Sequence, residues 1–313
     1  MKTKKEAANQ IQKNYRISES LKKIIRIERR EPDRLELIKY LIHFDINHFT
    51  GRYSDEWIER ELAEYGKKIE FYHKLQPEAG KILHVMTKAY QMGGHTPIVS
   101  NWIDYDDTKS YAVVFTQMKP VDIPCFFRET AEKNGAKLLF LRGRDDMEKA
   151  KELLKISDRY EKIVLHIHMY DIVPILAYSN ENWKRPVYFY NHANFLFSLG
   201  ISVSDCVLCI CRYDKIKAIR YRGAKNACVL PLPLKTVKNH EVILQEKGAD
   251  RAKFREEICQ IYAIPADGRI ILSMGADFKY EKIIDYDFAA FAAHLLQETE
   301  NTYFFIIGAD PSK

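Results

Sequence analysis

Residues 82–102 read ILHVMTKAYQMGGHTPIVSNW, an apolar strand that runs through a polar loop into a Gly-Gly turn opening a helix. Gly93 and Gly94 let backbone approach a ligand with no Cβ in the way, Thr96 suits an N-cap, and Pro97 suits the first helical position. Helix amides and the positive end of the helix dipole then face whatever lies at the strand's carboxyl end. Two readings of the turn stand side by side: an anion-binding loop, or the glycine that any Rossmann-like βα turn requires.

Outward from this turn the pattern repeats. Apolar runs at 82–86, 111–115, 137–141, 163–167, 187–190, 206–211 and 227–230 alternate with helical stretches, which predicts an α/β fold with a Rossmann-like, doubly wound parallel sheet. Ligands of such sheets bind outside the carboxyl ends of the strands. Two of those ends carry histidine. In IVLHIHMYDIVP, His166 falls within the strand and His168 just past it; in VYFYNHANFLFSLG, Asn191 and His192 follow the strand directly. His166 reads as packed, whereas His168 and His192 read as site residues. No pattern supplies the carboxylate or cysteine partners of a metal site, so none is expected.

The 313 residues are 46% hydrophobic, enough for a sizeable core and two domains. No apolar run reaches about eighteen residues, and the N-terminus lacks the apolar segment of a secretion signal, so a cytoplasmic protein is expected. Six cysteines are too few for a disulfide framework. Cys206, Cys209 and Cys211 lie in the run CVLCIC, where side chains alternate between faces, and read as reduced core residues. The net charge of +6 is confined to one arm: residues 1–30 hold ten Lys or Arg against three acids. Ile17, Leu21, Ile24 and Ile25 form one helical stripe there, suited either to an anionic membrane surface or to packing on the next domain. No aromatic-basic interleaving or zinc spacing accompanies the charge, and a nucleic-acid partner is not expected. From Arg34 to about Leu75 the pattern stays helical, with Leu35, Leu37, Ile38, Leu41 and Ile42 in one helix and a second opened by Ser54 that carries Trp57, Ile58, Leu62 and Tyr65.

The order ILHV…GGHT, VLHIHMYD, NHANFLFSLG, SDCVLCICRYD and VLPLPL resembles the N-terminal half of retaining GT-B glycosyltransferases of family 4, over roughly residues 81–313. The resemblance implies two facing Rossmann-like domains, the first for the acceptor and the second for a nucleotide-diphosphate sugar, with no further cofactor. It divides the chain into a helical N-terminal extension (1–80), an acceptor-side domain (81–234), a linker with an interdomain helix at Arg251 to Ile264 (235–267) and the start of a donor-side domain (268–313). It implies His168 as the catalytic histidine at the transferred sugar, and Gly93, Gly94, His95, Asn191 and His192 as donor- or acceptor-binding residues. In GRIILSMGADFKYEK it implies Gly275 after the first donor-side strand and Lys282 at the diphosphate, although Lys279 and Lys282 equally fit a solvated face. A leaving diphosphate gains charge in the transition state, which a lysine and helix amides stabilise without a metal.

The chain departs from that pattern at Asn194, Phe195 and Ser198, which stand where an aspartate, a histidine and a tryptophan are usual, and at Pro97 and Ala276, where arginines are common. After one β-α-β unit it stops at Lys313, where a full donor domain needs roughly a hundred residues more. The expectation is therefore an incomplete donor domain, either a fragment, one completed by a partner chain, or a degenerate relative. The functions that follow are transfer of a sugar in the biosynthesis of a surface polysaccharide or glycoconjugate, possible peripheral membrane contact included, or a non-catalytic partner module. A dinucleotide oxidoreductase is disfavoured because no G-x-G-x-x-G follows a strand.

Overall fold

A computed structural model describes residues 3–91, 93–106, 111–231, 252–275, 277–282 and 286–308. Contacts group the chain into two units, residues 10–234 and residues 235–313 together with 1–9.

The larger unit is built on seven parallel strands, β1 (Glu78–Met86), β2 (Tyr111–Phe115), β3 (Lys137–Phe140), β4 (Tyr160–His166), β5 (Val187–Tyr190), β6 (Cys206–Cys209) and β7 (Ala227–Val229). They lie in the order β3-β2-β1-β4-β5-β6-β7, a doubly wound Rossmann-like sheet whose direction of winding reverses between β1 and β4. The connecting helices are α4 (His95–Tyr105), α5 (Cys125–Lys133), α6 (Asp146–Ser157), α7 (Val173–Tyr178) and α8 (Arg212–Arg222). Alternation along each strand sorts its side chains between two covered faces. Leu83, Val85, Val114, Ile163, Leu165 and Phe189 point into one core, while Met86, Val113, Phe115, Val164 and Tyr190 point into the cores on the other face.

Three helices precede the sheet: α1 (Lys4–Ile27), α2 (Glu31–Asn47) and α3 (Glu56–Lys67). Ile38, Leu41 and Ile42 of α2 and Ile58 and Leu62 of α3 are buried in the same core as Leu83, Val85 and Leu165, so packing is continuous across residue 80. Helix α3 lies so close to α7 that a Cβ on Gly66 would stand 2.3 Å from the Leu176 carbonyl oxygen, which only glycine tolerates. The cap of α3 is Asp55 rather than Ser54: its carboxylate accepts from the Trp57 and Ile58 amides, and Ser54 donates instead to the Arg222 carbonyl. Helix α4 likewise begins two residues earlier than its sequence suggests, at His95, and Thr96 is turned back to accept from the Tyr90 amide at 2.7 Å.

Helix α1 inverts the expected orientation. The stripe Ile17, Leu21, Ile24 and Ile25 buries only Ile25 fully, and Ile17, Ile24 and Ile27 stay 38%, 50% and 77% exposed. The buried face within residues 10–27 is instead Asn14, Ser18, Lys22 and Ile25. A polar stripe goes inward because it meets polar partners. Lys22 Nζ reaches Asp55 Oδ2 at 2.5 Å and Glu19 at 2.9 Å, Arg52 binds Asp55 and Glu19 at 2.8 Å, and Ser18 donates to Asp45 at 3.2 Å. Burial pushes the Asp45 carboxyl up to about 6, the nearby Asp55 charge adding to it.

The cysteines also divide. Cys209 is buried, its thiol pushed up to about 12 by burial, whereas Cys206 is half-buried and Cys211 is exposed at the start of α8, with its thiol 3.3 Å from Asp214. The CVLCIC run therefore puts one of its three cysteines fully in the core, because the strand ends at Cys209.

In the smaller unit, a helix over residues 252–261 (α9) precedes β8 (Arg269–Met274), α10 (Phe288–Glu298) and β9 (Thr302–Ile307), and β8 and β9 pair in parallel. Leu272, Met274, Ile306 and Ile307 are exposed. Most of the linker region, residues 235–251, and Ala276 lie outside the described residues, as do residues 232–234 of VLPLPL. No helix among the described residues is long and apolar enough to cross a membrane.

Asp55 carries a helix cap, the buried Lys22 and the half-buried Arg52, so Asp55→Ala should cost about 3–5 kcal/mol in urea unfolding, the range for breaking a buried pair. Asp55→Asn, which keeps the cap acceptor, should recover about 1 kcal/mol of this. Equal stability of the two variants would show that the cap contributes nothing.

Candidate functional site

At the switch point the carboxyl ends of β1, β4 and β5 bring five histidines together. His84 and His166 point to the α4 face of the sheet with Tyr190, under Ile98 and Trp102 of α4. Their rings form a chain: His84 Nδ1 lies 3.0 Å from His166 Nε2, and His166 Nδ1 lies 3.0 Å from His192 Nε2. Above this chain, His95 stands edge-on to His192 with ring centroids 4.4 Å apart and to His168 at 5.6 Å. Tyr90 stacks on His168 at 5.4 Å with rings 7° from parallel.

Backbone and buried polar groups fix these rings. The Thr87 hydroxyl accepts from the His168 amide at 2.8 Å and donates to Asp171 at 2.6 Å; Asp171 also accepts from Thr116 and from the Val173 amide. The His168 Nδ1 atom is 3.1 Å from the Tyr170 hydroxyl. His95 donates from Nε2 to the His166 carbonyl at 2.9 Å, so its Nδ1 is the bare nitrogen, and that buried atom has no hydrogen-bond partner among the described residues. The loop carrying His192 is held from below by Arg222, whose guanidinium donates to the carbonyls of Tyr53, Ala193 and Leu196 and to the Ser198 hydroxyl. Burial lowers the Arg222 pKa to about 10.

All five imidazoles are neutral at pH 7. Burial drives His84 down to about 4 and His168, aided by His95 and Lys88, also to about 4. Burial likewise holds His95 below the usual range and His166 and His192 well below it. A neutral His166 owns one N–H, so it donates to one neighbour and accepts from the other, and the whole chain shares two concerted tautomeric arrangements. Such rings hydrogen-bond hydroxyl groups without adding charge. They do not act as acids at neutral pH.

The sequence-derived residues are distributed as follows. Gly93, Gly94, His95, His168, Asn191 and His192 gather around this one rim. Gly93 has φ +106° and, among the described residues, nothing stands within 4 Å of a Cβ built on it or on Gly94, so the loop backbone leaves room for a ligand. Asn191 is buried, and its Oδ1 has no hydrogen-bond partner among the described residues. Gly275 and Lys282 belong to the smaller unit. Gly275 donates its amide to Ile307 and its carbonyl leaves no room for a side chain at Gly308; Lys282 is paired with Asp287, the cap of α10, at 2.5 Å. Among the substituted motif positions, Asn194 donates to Asp214 at 2.6 Å and Ser198 meets Arg222, while Phe195 is exposed.

Sequence reasoning passed over His84, Thr87, Tyr90, Trp102, Asp171 and Arg222. The signal for His84 was present, since ILHVM places it in phase with Ile82 and Met86. Nothing local marks Arg222, whose side-chain partners lie 24 to 169 residues away, or Asp171, whose two hydroxyl partners lie 55 and 84 residues away. Among the described residues no group of three or more His, Cys, Asp or Glu side chains is arranged to hold a metal ion.

No protein-family model and no curated protein sequence matches the chain. Among solved structures it is similar to a mutant O-GlcNAc transferase of Thermobaculum terrenum, with TM-score 0.44 and 10% identity over 96% of this chain and 59% of that one. It is also similar to a glycosyltransferase of Rickettsia africae, with TM-score 0.42 and 12% identity over 75% of this chain and 69% of that one. The chain thus spans less than two thirds of the length of the first.

The neutral histidines set a pH dependence. An imidazole whose native pKa lies below its free value of about 6.5 contributes stability that is complete above that pH and lost as pH falls toward about 4. Asp45, raised to about 6, has the opposite sign: its contribution is complete at low pH and lost as pH rises from about 4 to 6. Burial raises Glu59 and Asp171 as well, with the same sign as Asp45; the five histidines outnumber these three acids, so the urea midpoint should fall as pH drops from 7 to 5. His84→Phe should take up about one proton fewer on unfolding in this range. A midpoint that holds steady or rises toward pH 5 would contradict the neutral assignment.

Proposed function

We propose that the chain is a glycosyltransferase, or a part of one, that transfers a sugar from a nucleotide-diphosphate donor during assembly of a surface glycan or glycoconjugate. The observation that carries this reading is the convergence of His95, His168 and His192, all neutral, beside the open Gly93-Gly94 loop at the start of α4. Sugars are polyhydroxylic and uncharged at the ring, and a rim of neutral imidazoles both donates to and accepts from hydroxyl groups. The glycine loop and the first turn of α4 suit the charged diphosphate. In this scheme His168 contacts the transferred sugar, with its ring set by Tyr170 on one edge and Tyr90 on one face. Gly94, His95, Asn191 and His192 complete the sugar and acceptor contacts of this rim; in the smaller unit, described by itself, Gly275 and Lys282 are the residues assigned to the donor by the sequence resemblance. The exposed Ile17, Ile24 and Ile27, set among lysines and arginines, suit peripheral contact with an anionic membrane face.

A second reading is a non-catalytic binding module or partner subunit. It is favoured by Lys282, whose charge is already taken by Asp287, and by Gly275, which is crowded by Lys279 and Tyr280.

The two readings separate in one assay. Release of nucleoside diphosphate from uridine, guanosine and adenosine diphosphate sugars should be detectable and should fall about 100-fold or more in His168→Ala, with little change in Tm. Donor binding without release favours the module. A variant that keeps full specific activity and merely melts earlier removes His168 from the site.

A further inference from the structure

Beside the histidine rim, the carboxyl ends of β2, β3 and β4 and helix α2 enclose a cavity of about 650 Å³. A second hollow of about 440 Å³ shares Lys88, Gln117, Met118 and Asp122 with it and continues to Tyr90, the residue stacked on His168. The two form one trough that starts at the reactive rim. Tyr170 links the larger cavity to the rim: its hydroxyl meets His168, its ring stacks on His43 of α2 at 5.3 Å, and it lines that cavity.

Charge in this trough is one-sided. Lys39, Lys88, Lys119 and Lys149 line the larger cavity against Asp122 and Asp146. Asp146 is already engaged with Lys39 at 2.9 Å, and Lys39 also holds Glu36. Lys88, Lys119 and Lys149 thus face the space with Asp122 as the remaining acid. They come from three different loops or helix starts, after β1, after β2 and in the first turn of α6, so no single solvated helix face explains their meeting. The backbone around α6 is not the anion donor: Glu152 takes the amides of Arg142 and Gly143, and Glu148 takes that of Arg144. Any anion there is held by the lysine side chains.

Three separate ammonium groups with no arginine fork suit a compact multivalent anion better than a planar carboxylate, which the bidentate guanidinium recognises. The volume accommodates a sugar-sized body. We propose that this trough is the acceptor site and that it selects a phosphate-bearing acceptor, with the phosphate among Lys88, Lys119 and Lys149 and a sugar hydroxyl directed toward His168. The proposal rests on the glycosyltransferase reading for the word acceptor. The phosphate site itself stands on the cavity and its charges.

The test uses the 313-residue protein at low ionic strength, titrated in a calorimeter with glucose 6-phosphate, inorganic phosphate, glucose and glucuronate, and separately sedimented with phosphatidic acid vesicles. Glucose 6-phosphate should bind saturably, with glucose undetectable and glucuronate at least about tenfold weaker. Lys88→Gln, Lys119→Gln and Lys149→Gln should each weaken binding about tenfold, the loss of one charge-assisted hydrogen bond, and the triple variant should abolish it. Lys149→Arg, which keeps the charge, should retain it, and thermal melts of every variant report folding. Lys13→Gln with Lys23→Gln, on exposed α1, should leave glucose 6-phosphate binding unchanged. Binding confined to the vesicles and lost in the triple variant assigns the phosphate to a lipid headgroup; binding of the soluble ester assigns it to a free sugar phosphate. The proposal is overturned if no phosphate probe binds, if glucose or glucuronate binds as tightly, or if a folded triple variant binds like the parent. Because no donor is present, phosphate binding without nucleoside diphosphate release would sink the transferase reading alone, and release without phosphate binding would sink this proposal alone.

Discussion

The carboxylate of Asp171 is the tie on which the rim of the sheet depends. It lies just after β4, is fully buried, and accepts hydroxyl hydrogen bonds from Thr87 after β1 and Thr116 after β2 and an amide hydrogen bond from Val173 in α7. Burial pushes its pKa up while these donors oppose the shift. One side chain thus fastens three adjacent strand ends and the start of a helix. Through Thr87 the same tie reaches the His168 amide. A buried acid left without its donors would carry the full cost of its desolvation, so the three strand ends hold this geometry together or not at all.

Hydrogen bonding of this kind lets the site be polar without being charged. Five imidazoles in one cluster would repel each other strongly if protonated, and burial prevents that by penalising the charged form. What results is a surface of fixed donors and acceptors. The charge needed nearby is supplied from the side by lysines on separate loops, one of which, Lys88, helps keep His168 neutral. Arg222 does comparable work beneath the His192 loop, where four acceptors surround its guanidinium. Asn194 and Ser198, which depart from the sequence motif that this segment resembles, here serve that scaffold through Asp214 and Arg222.

The helical segment before β1 follows the same logic. Its first helix turns Lys22 inward because Asp55, Glu19 and Arg52 form a matched set with it, and one carboxylate of that set caps α3. Ile17 and Ile24 of the apolar stripe remain outward, and Ile25 alone is fully buried. Hydrophobicity alone misjudges such a helix, since a paired and hydrogen-bonded charge can occupy a buried position that an apolar residue would otherwise fill.

Much of the architecture is legible in the chain itself. The alternation of apolar strands with helices dictates a doubly wound parallel sheet, and His168, His192 and the Gly93-Gly94 turn follow from their places at strand ends, because both are local patterns written in the period of the backbone. Other features are not local. That His84 and His166 form a chain with His192 depends on which strands are neighbours, and β1 pairs with β4 across an intervening βαβ segment. The inward face of α1, the Lys22–Asp55 pair, the Arg222 cradle and the lysine-lined trough each join groups far apart in sequence. Their energies arise from desolvation and from pairing between distant side chains, quantities that exist only once the tertiary structure has brought those groups out of water and into contact.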